Sequence, residues 1–315
     1  MHIRPFTDHD YAGAVAVMNT AWPDYPETEA EWRHNDATRS PKIKWGRLVA
    51  EKDNTIIGVS DYWQRLNAYH PQRFGVGVTV HPAHRQRGIG TALYTALLEQ
   101  LAPFNPIKLG GNTREDYTGG VRFAFANGFQ EAMRTWESRL VVATFDAAPF
   151  REQAAKAEAS GIRFITFAAE EANPQRNEKL LALFNEIDLD VPSTETPTPV
   201  ALEDFERRLS DPNLLADGFF IALDGDEYVG LSQLYNSEGS DDLYNGLTGV
   251  KRSHRRRSIA LALKLKGTDY AQSLGRPTIK TWNASNNRPM LSINEAMGFV
   301  RQPAWLDLVK VLGEA

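Results

Sequence analysis

The residues of this chain best suited to chemistry lie in a short basic loop that occurs twice. The first copy, Val78-Thr79-Val80-His81-Pro82-Ala83-His84-Arg85-Gln86-Arg87-Gly88-Ile89-Gly90-Thr91, runs from a β-branched stretch through arginines and glycines into an apolar-periodic segment. The second, Thr248-Gly249-Val250-Lys251-Arg252-Ser253-His254-Arg255-Arg256-Arg257-Ser258-Ile259-Ala260-Leu261, repeats the pattern at an offset of 170 residues, Gly88 aligning with Ser258. A strand, a tight turn and a helix start in that order form an anion site, because the first N–H groups of a helix lack partners and its dipole is positive there. Close approach of a phosphate requires little bulk, which Gly88 and Gly90 provide and Ser258 and Ala260 provide less well. The arginines add charge for phosphate oxygens. The predicted chemistry is the holding of a phosphate-bearing cofactor, in one half of the chain or in both.

The elements needed to position such loops also recur. Ile3-Arg4-Pro5-Phe6 and Ile162-Arg163-Phe164-Ile165 each read as an opening strand followed by a helical pattern. Leu48 to Glu51 and Ile56 to Ser60 form a predicted hairpin around Asp53-Asn54, matched by Phe219 to Leu223 and Tyr228 to Ser232 around Asp224-Gly225-Asp226. After the loops, Ile89, Leu93, Leu97 and Leu101 share one helical face, as do Ile259, Ala262, Leu263 and Tyr270. A further strand follows in each copy, at Ile107 to Leu109 and at Thr278 to Thr281. A last helix then ends at Gly128-Phe129 or Gly298-Phe299, where glycine suits a left-handed cap. The expected fold is α/β of the α+β kind: two tandem units, each a mixed, mostly antiparallel sheet flanked by helices. The expected boundaries are 1–145, a linker or short exposed helix at 146–160, and 161–315. The segment Asn185 to Val200, acidic and proline-containing, reads as a long loop of the kind that carries substrate contacts.

Composition narrows the function classes. The 315 residues are 42% hydrophobic and 24% charged, which suits two packed domains. A net charge of -5 disfavours nucleic acid and leaves room for a cationic or amine substrate. With no cysteine, disulfides and cysteinyl intermediates are excluded. His81 and His84 stand three apart without a third ligand nearby in sequence, so no metal site is expected. Gly58-Val59-Ser60-Asp61-Tyr62 and Gly230-Leu231-Ser232-Gln233-Leu234 lack the final glycine of an esterase elbow, and no Walker loop occurs. The N-terminal residues lack the apolar core of a signal peptide and no stretch approaches a membrane span, so a cytoplasmic protein without membrane contact is expected.

The loop Arg85-Gln86-Arg87-Gly88-Ile89-Gly90 resembles the acetyl-CoA loop of the GNAT N-acetyltransferases, and Arg255-Arg256-Arg257-Ser258-Ile259-Ala260 looks like the same loop with its first glycine replaced. The two copies cover nearly the whole chain, in a tandem arrangement similar to that of mycothiol synthases. The resemblance implies transfer of an acetyl group from acetyl-CoA directly to an amine of a small molecule or peptide, by a monomer or homodimer. It implies cofactor contacts at Val78, Val80, Arg85, Gln86, Arg87, Gly88, Ile89, Gly90 and Thr91, and at Val250, Arg255, Arg256, Arg257, Ser258, Ile259 and Ala260 with Asn283 and Asn287. The strands before the loops would pair with the pantetheine arm and polarise the thioester carbonyl. The family's acidic tyrosine, four residues before the Gly-Phe pair, is Ala124 in the first half and Asn294 in the second. That departure keeps a second expectation alive, an acyl-CoA-binding sensor or scaffold without catalysis. An acceptor ammonium also needs a base. The second half offers Asp241, Asp242 and Tyr244 with Glu186, Asp188 and Asp190; the first offers Asp61 with Asp24, Glu27 and Glu29. The denser acidic set favours the second half, with Asp242, Tyr244 and Asn294 as catalytic candidates.

Overall fold

The computed structural model describes residues 1–313. Thirteen strands form one sheet, β1 (His2–Pro5), β2 (Trp45–Lys52), β3 (Thr55–Trp63), β4 (Arg73–Val80), β5 (Lys108–Arg114), β6 (Gln130–Val141), β7 (Ile162–Thr166), β8 (Phe220–Asp224), β9 (Glu227–Ser237), β10 (Ser240–Val250), β11 (Thr278–Ala284), β12 (Val300–Arg301) and β13 (Trp305–Val311). Among the described residues only β4–β5 and β10–β11 pair in parallel, and the other ladders are antiparallel. The helices are α1 (Tyr11–Ala21), α2 (Glu29–Ala37), α3 (Ile89–Leu101), α4 (Thr118–Ala126), α5 (Ala148–Ala159), α6 (Arg176–Asp188), α7 (Leu202–Leu209), α8 (Ile259–Ser273) and α9 (Arg288–Ala296). None of the described helices is long and apolar enough to cross a membrane.

The expected repeat is realised element by element. Asp53 and Asn54 both take positive φ in the β2–β3 turn, as a tight hairpin linking right-twisted strands demands. Gly128 and Gly298 end α4 and α9 at φ +82° and +83°, letting Phe129 and Phe299 N–H reach back to Ala124 and Asn294 carbonyls at 3.1 and 3.0 Å. The predicted linker contains α5, whose Arg151 pairs with Asp269 of α8.

The strand order β1-β2-β3-β4-β5-β13-β6-β11-β10-β9-β8-β7 joins the two units by exchange. The last strand of the chain, β13, enters the first half between β5 and β6, while the far end of β6 pairs with β11 of the second half over Thr135 to Val141. The cores follow the strands. Leu306 and Leu308 of β13 are buried with Leu93, Leu97, Leu101 and Leu109 of the first half, and Leu140 of β6 is buried with Leu243, Leu265 and Ile279 of the second. Each half is completed by side chains of the other.

Candidate functional site

The two loops share one backbone. Gln86 and Gly88 have φ +60° and +78°, and Arg256 and Ser258 have +61° and +59°, so the second copy holds two side-chain-bearing residues in the left-handed region. Arg85 and Arg255 donate Nε–H to the Val80 and Val250 carbonyls, both at 3.1 Å. Gly88 and Ser258 are the N-caps of α3 and α8.

Their surroundings differ. Strands β4 and β5 pair only at Arg73 to Gly75 and then separate, opening a wedge at Val76. A cavity of about 1070 Å³ begins at the first loop and continues through this wedge. Val78, Val80, Arg85, Gln86, Gly88, Ile89, Gly90 and Thr91 line it; Arg87 does not. No atom lies within 4 Å of where a Cβ on Gly88 would stand, so the loop faces open space. None of the second-half cofactor candidates lines this cavity.

In the second half α6 and the segment after it pack against the loop and its strand. A Cβ at Gly249 would overlap the Ile187 side chain of α6. Arg252 and Arg255 both donate to the Asp190 carboxylate, whose pKa falls to about 2, chiefly through the Arg252 hydrogen bond, with the Arg255 hydrogen bond and the charges of both arginines outweighing the desolvation that opposes them. Arg257 bonds Asp224 at 2.9 Å and the Ser160 carbonyl at 2.8 Å. Asn287 caps α9 by accepting from Met290 N–H, and Asn283 accepts from Asn294 at 2.6 Å.

The catalytic candidates are redistributed accordingly. Asp242 pairs with buried Lys280 at 2.8 Å and Asn294 is 1% exposed, and neither lines this cavity. The acidic residues of the second half neutralise local cations: Asp190 takes Arg252 and Arg255, Glu186 takes Lys251, and Asp242 takes Lys280. Tyr244 does line the cavity, parallel to Trp282 with ring centres 5.6 Å apart, and burial raises its pKa to about 12. The Asn185 to Val200 segment does not line it either; Glu195 instead pairs with Arg73 and Lys108 of the first half.

Of the carboxylates that line the cavity, Glu27, Glu31, Asp61 and Asp116 belong to the first half and Asp211 to the second; the two of raised pKa, Asp61 and Glu27, are both in the first. Asp61 of β3 stands opposite Gly77 of β4, one residue past the start of the wedge, and a Cβ at Gly77 would overlap its Oδ1. Desolvation pushes the Asp61 carboxyl up, partly offset by Arg47 and Arg39. Glu27 accepts from Trp32 Nε1–H at 2.9 Å, and desolvation pushes its carboxyl up as well, with Glu31 and Asp61 adding to the shift. Two half-buried carboxylates of raised pKa in one cavity are the arrangement expected of a proton acceptor.

The acetyltransferase (GNAT) family profile matches residues 14–129 and 180–299, well over half of the chain and one match in each half. The chain belongs to the GNAT acetyltransferase family. Among its relatives is a mycothiol acetyltransferase of Thermobispora bispora, 28% identical over 71% of this chain and 72% of that one. A phosphinothricin N-acetyltransferase of Streptomyces viridochromogenes is 30% identical over 32% of this chain and 58% of its own length. Among solved structures, a tandem GNAT protein from the clavulanic acid biosynthesis pathway superposes with a TM-score of 0.74 at 17% identity, covering 100% of this chain and 99% of that one. The protein is thus an N-acetyltransferase of the GNAT family with two tandem family domains.

Proposed function

We propose that acetyl-CoA is held by the first half alone and that its acetyl group passes directly to an amine in the same cavity. The observation that carries this reading is the open loop at Gly88 leading into the β4–β5 wedge, set against a second loop whose arginines are occupied by Asp190 and whose strand is packed against by Ile187. The first site fits the group: a Gly88 cradle without neighbouring atoms, a helix N-terminus, and Arg85 and Gln86 in the wall. Acetyl-CoA supplies an activated thioester when bound. The backbone of β4 past Gly75, released from β5, supplies N–H and C=O groups that pair with an extended arm and polarise a carbonyl. Asp61, whose proton affinity burial raises, takes the proton that an acceptor ammonium must lose before its nitrogen attacks, with Glu27 as a second carboxylate of raised pKa in the same cavity. With Ala124 at the family's tyrosine position, no α4 phenol protonates the departing sulfur.

The test is CoA release with a panel of primary amines. Wild-type protein turns over at least one of them, and Asp61→Asn lowers kcat/KM by roughly 10²-fold or more, the usual contribution of a positioned base, while acetyl-CoA affinity stays within twofold. Unchanged turnover in Asp61→Asn, or loss of activity on Asp242→Asn instead, contradicts the assignment.

A further inference from the structure

Beyond the wedge the cavity wall is a continuous row of aromatic rings. Tyr117 stacks on Trp22 with ring centres 4.4 Å apart, Trp22 on Trp305 at 5.2 Å, and Trp305 meets Tyr25 edge-on at 5.5 Å. Tyr25 lies 6.3 Å from Trp282, which stacks on Tyr244. All six are partly exposed, and all except Trp282 line the cavity. Three come from the first half and three from the second, with Trp305 delivered by the exchanged strand β13.

The row is held rigidly from behind. Tyr25 donates to Glu137, which is buried and bonded by Arg139 Nε at 2.5 Å. Lys280 lies 5.4 Å from the ring centres of both Tyr25 and Tyr244, and its charge is taken up by Asp242 and the Asp24 carbonyl at 2.8 and 2.7 Å. Arg114, 4.9 Å from the Tyr117 ring, is taken up by Asp24 and Asp116. The cations behind the rings are therefore neutralised, whereas four carboxylates that line the cavity, Asp61, Glu27, Glu31 and Asp211, have no salt bridge among the described residues; Glu31 and Asp211 accept from neutral N–H donors of Thr28, Asn213 and Glu238, which leaves Asp61 and Glu27 the better placed to meet a cation. Trp305 Nε1–H is buried and has no hydrogen-bond partner among the described residues.

Resting on the reading that acetyl transfer occurs in the first half, we propose that the acceptor is an arylalkylamine. Its ammonium meets the Asp61 and Glu27 carboxylates, and its flat ring packs on the Trp22–Trp305–Tyr244 row, so that the second half serves as an acceptor-specificity wall for the first. Rings of this kind favour an aromatic partner over a saturated one of equal size through offset and edge-on contacts, and electron-rich faces tolerate a neighbouring cation.

The experiment compares 2-phenylethylamine with 2-cyclohexylethylamine, which share a carbon skeleton and differ in flatness. Binding is read by quenching of intrinsic tryptophan fluorescence in the full-length protein and turnover by CoA release, with acetyl-CoA affinity measured separately by calorimetry. The account expects 2-phenylethylamine to bind about five times more tightly. It expects Tyr244→Leu and Trp22→Leu each to abolish the preference by raising KM, with acetyl-CoA affinity unchanged. Equal or stronger binding of the cyclohexyl amine overturns the proposal, as does a preference that survives both substitutions. If acetyl-CoA fails to bind the first half, the underlying functional reading falls; if it binds and only saturated amines are acetylated, the acceptor proposal alone falls.

Discussion

At the scale of single residues, position in the strand ladder distinguishes Asp61 from the other acidic side chains of the chain. It sits on β3 directly across from Gly77, and the missing side chain at Gly77 is what leaves room for its carboxylate at the mouth of the wedge. Burial favours its neutral form, so it accepts a proton more readily than an exposed aspartate would. The sign follows: the base works when ionised, and its raised pKa moves the acidic limb of kcat/KM above the ordinary carboxylate range. We expect that limb to shift to lower pH when a cation is placed beside it, as in Val59→Lys, and the limb to disappear in Asp61→Asn; an unmoved limb in both would assign the titration elsewhere. The sequence made Asp61 visible as a candidate but ranked it behind Asp242 and Asn294. Nothing in the local sequence of Asp242 reveals Lys280, a strand away, and nothing near Asn294 reveals its bond to Asn283.

At the scale of elements, the two halves diverge where the loop meets its helix. Lys264 of α8 stands 170 residues after Tyr94 of α3, which lines the cavity. Lys264 is 5% exposed, donates to Asn245 Oδ1 at 2.6 Å and lies 4.9 Å from the Phe299 ring. Burial pulls its pKa down from 10.5 to about 7. Between those values the unfolded chain holds a proton that the native chain has released, so stability rises with pH across this window. Thermal unfolding from about pH 7 to 10 should show that rise in the wild type and a flatter profile in Lys264→Met; identical profiles would mean that Lys264 stays charged when buried. The loops, hairpins, helices and glycine caps were legible in the sequence because each is a local signal: a β-branched run, a turn residue, a 3.6-residue period. The closing of the second loop was not, because Ile187 and Asp190 lie more than sixty residues before the groups they occupy, inside a segment whose prolines and acids read as a substrate loop.

At the scale of the molecule, the boundary near residue 150 divides the chain without dividing the sheet. Burial of Leu306 and Leu308 in the first core contributes roughly 3–6 kcal/mol, taking about 1.5–3 kcal/mol for each fully buried leucine, and the same strand closes the ladder between β5 and β6. A fragment of residues 1–145 should therefore be poorly folded alone and regain cooperative unfolding when co-expressed with 146–315; a fragment that folds stably by itself would show the exchange to be dispensable. The Gly298-Phe299 signal marked where α9 ends but could not say which neighbours the following strand joins, since register and partner depend on the other half. The aromatic row has the same origin. Its members span Trp22 to Trp305 and become one surface only through the exchange.

The central claim, one competent cofactor site in the first half, is tested most directly by calorimetric titration of the full-length protein with acetyl-CoA, repeated with Gly88→Trp and Ser258→Trp. The account predicts one equivalent bound by the wild type, retained in Ser258→Trp and lost in Gly88→Trp. Two equivalents in the wild type, or binding lost only in Ser258→Trp, would contradict it.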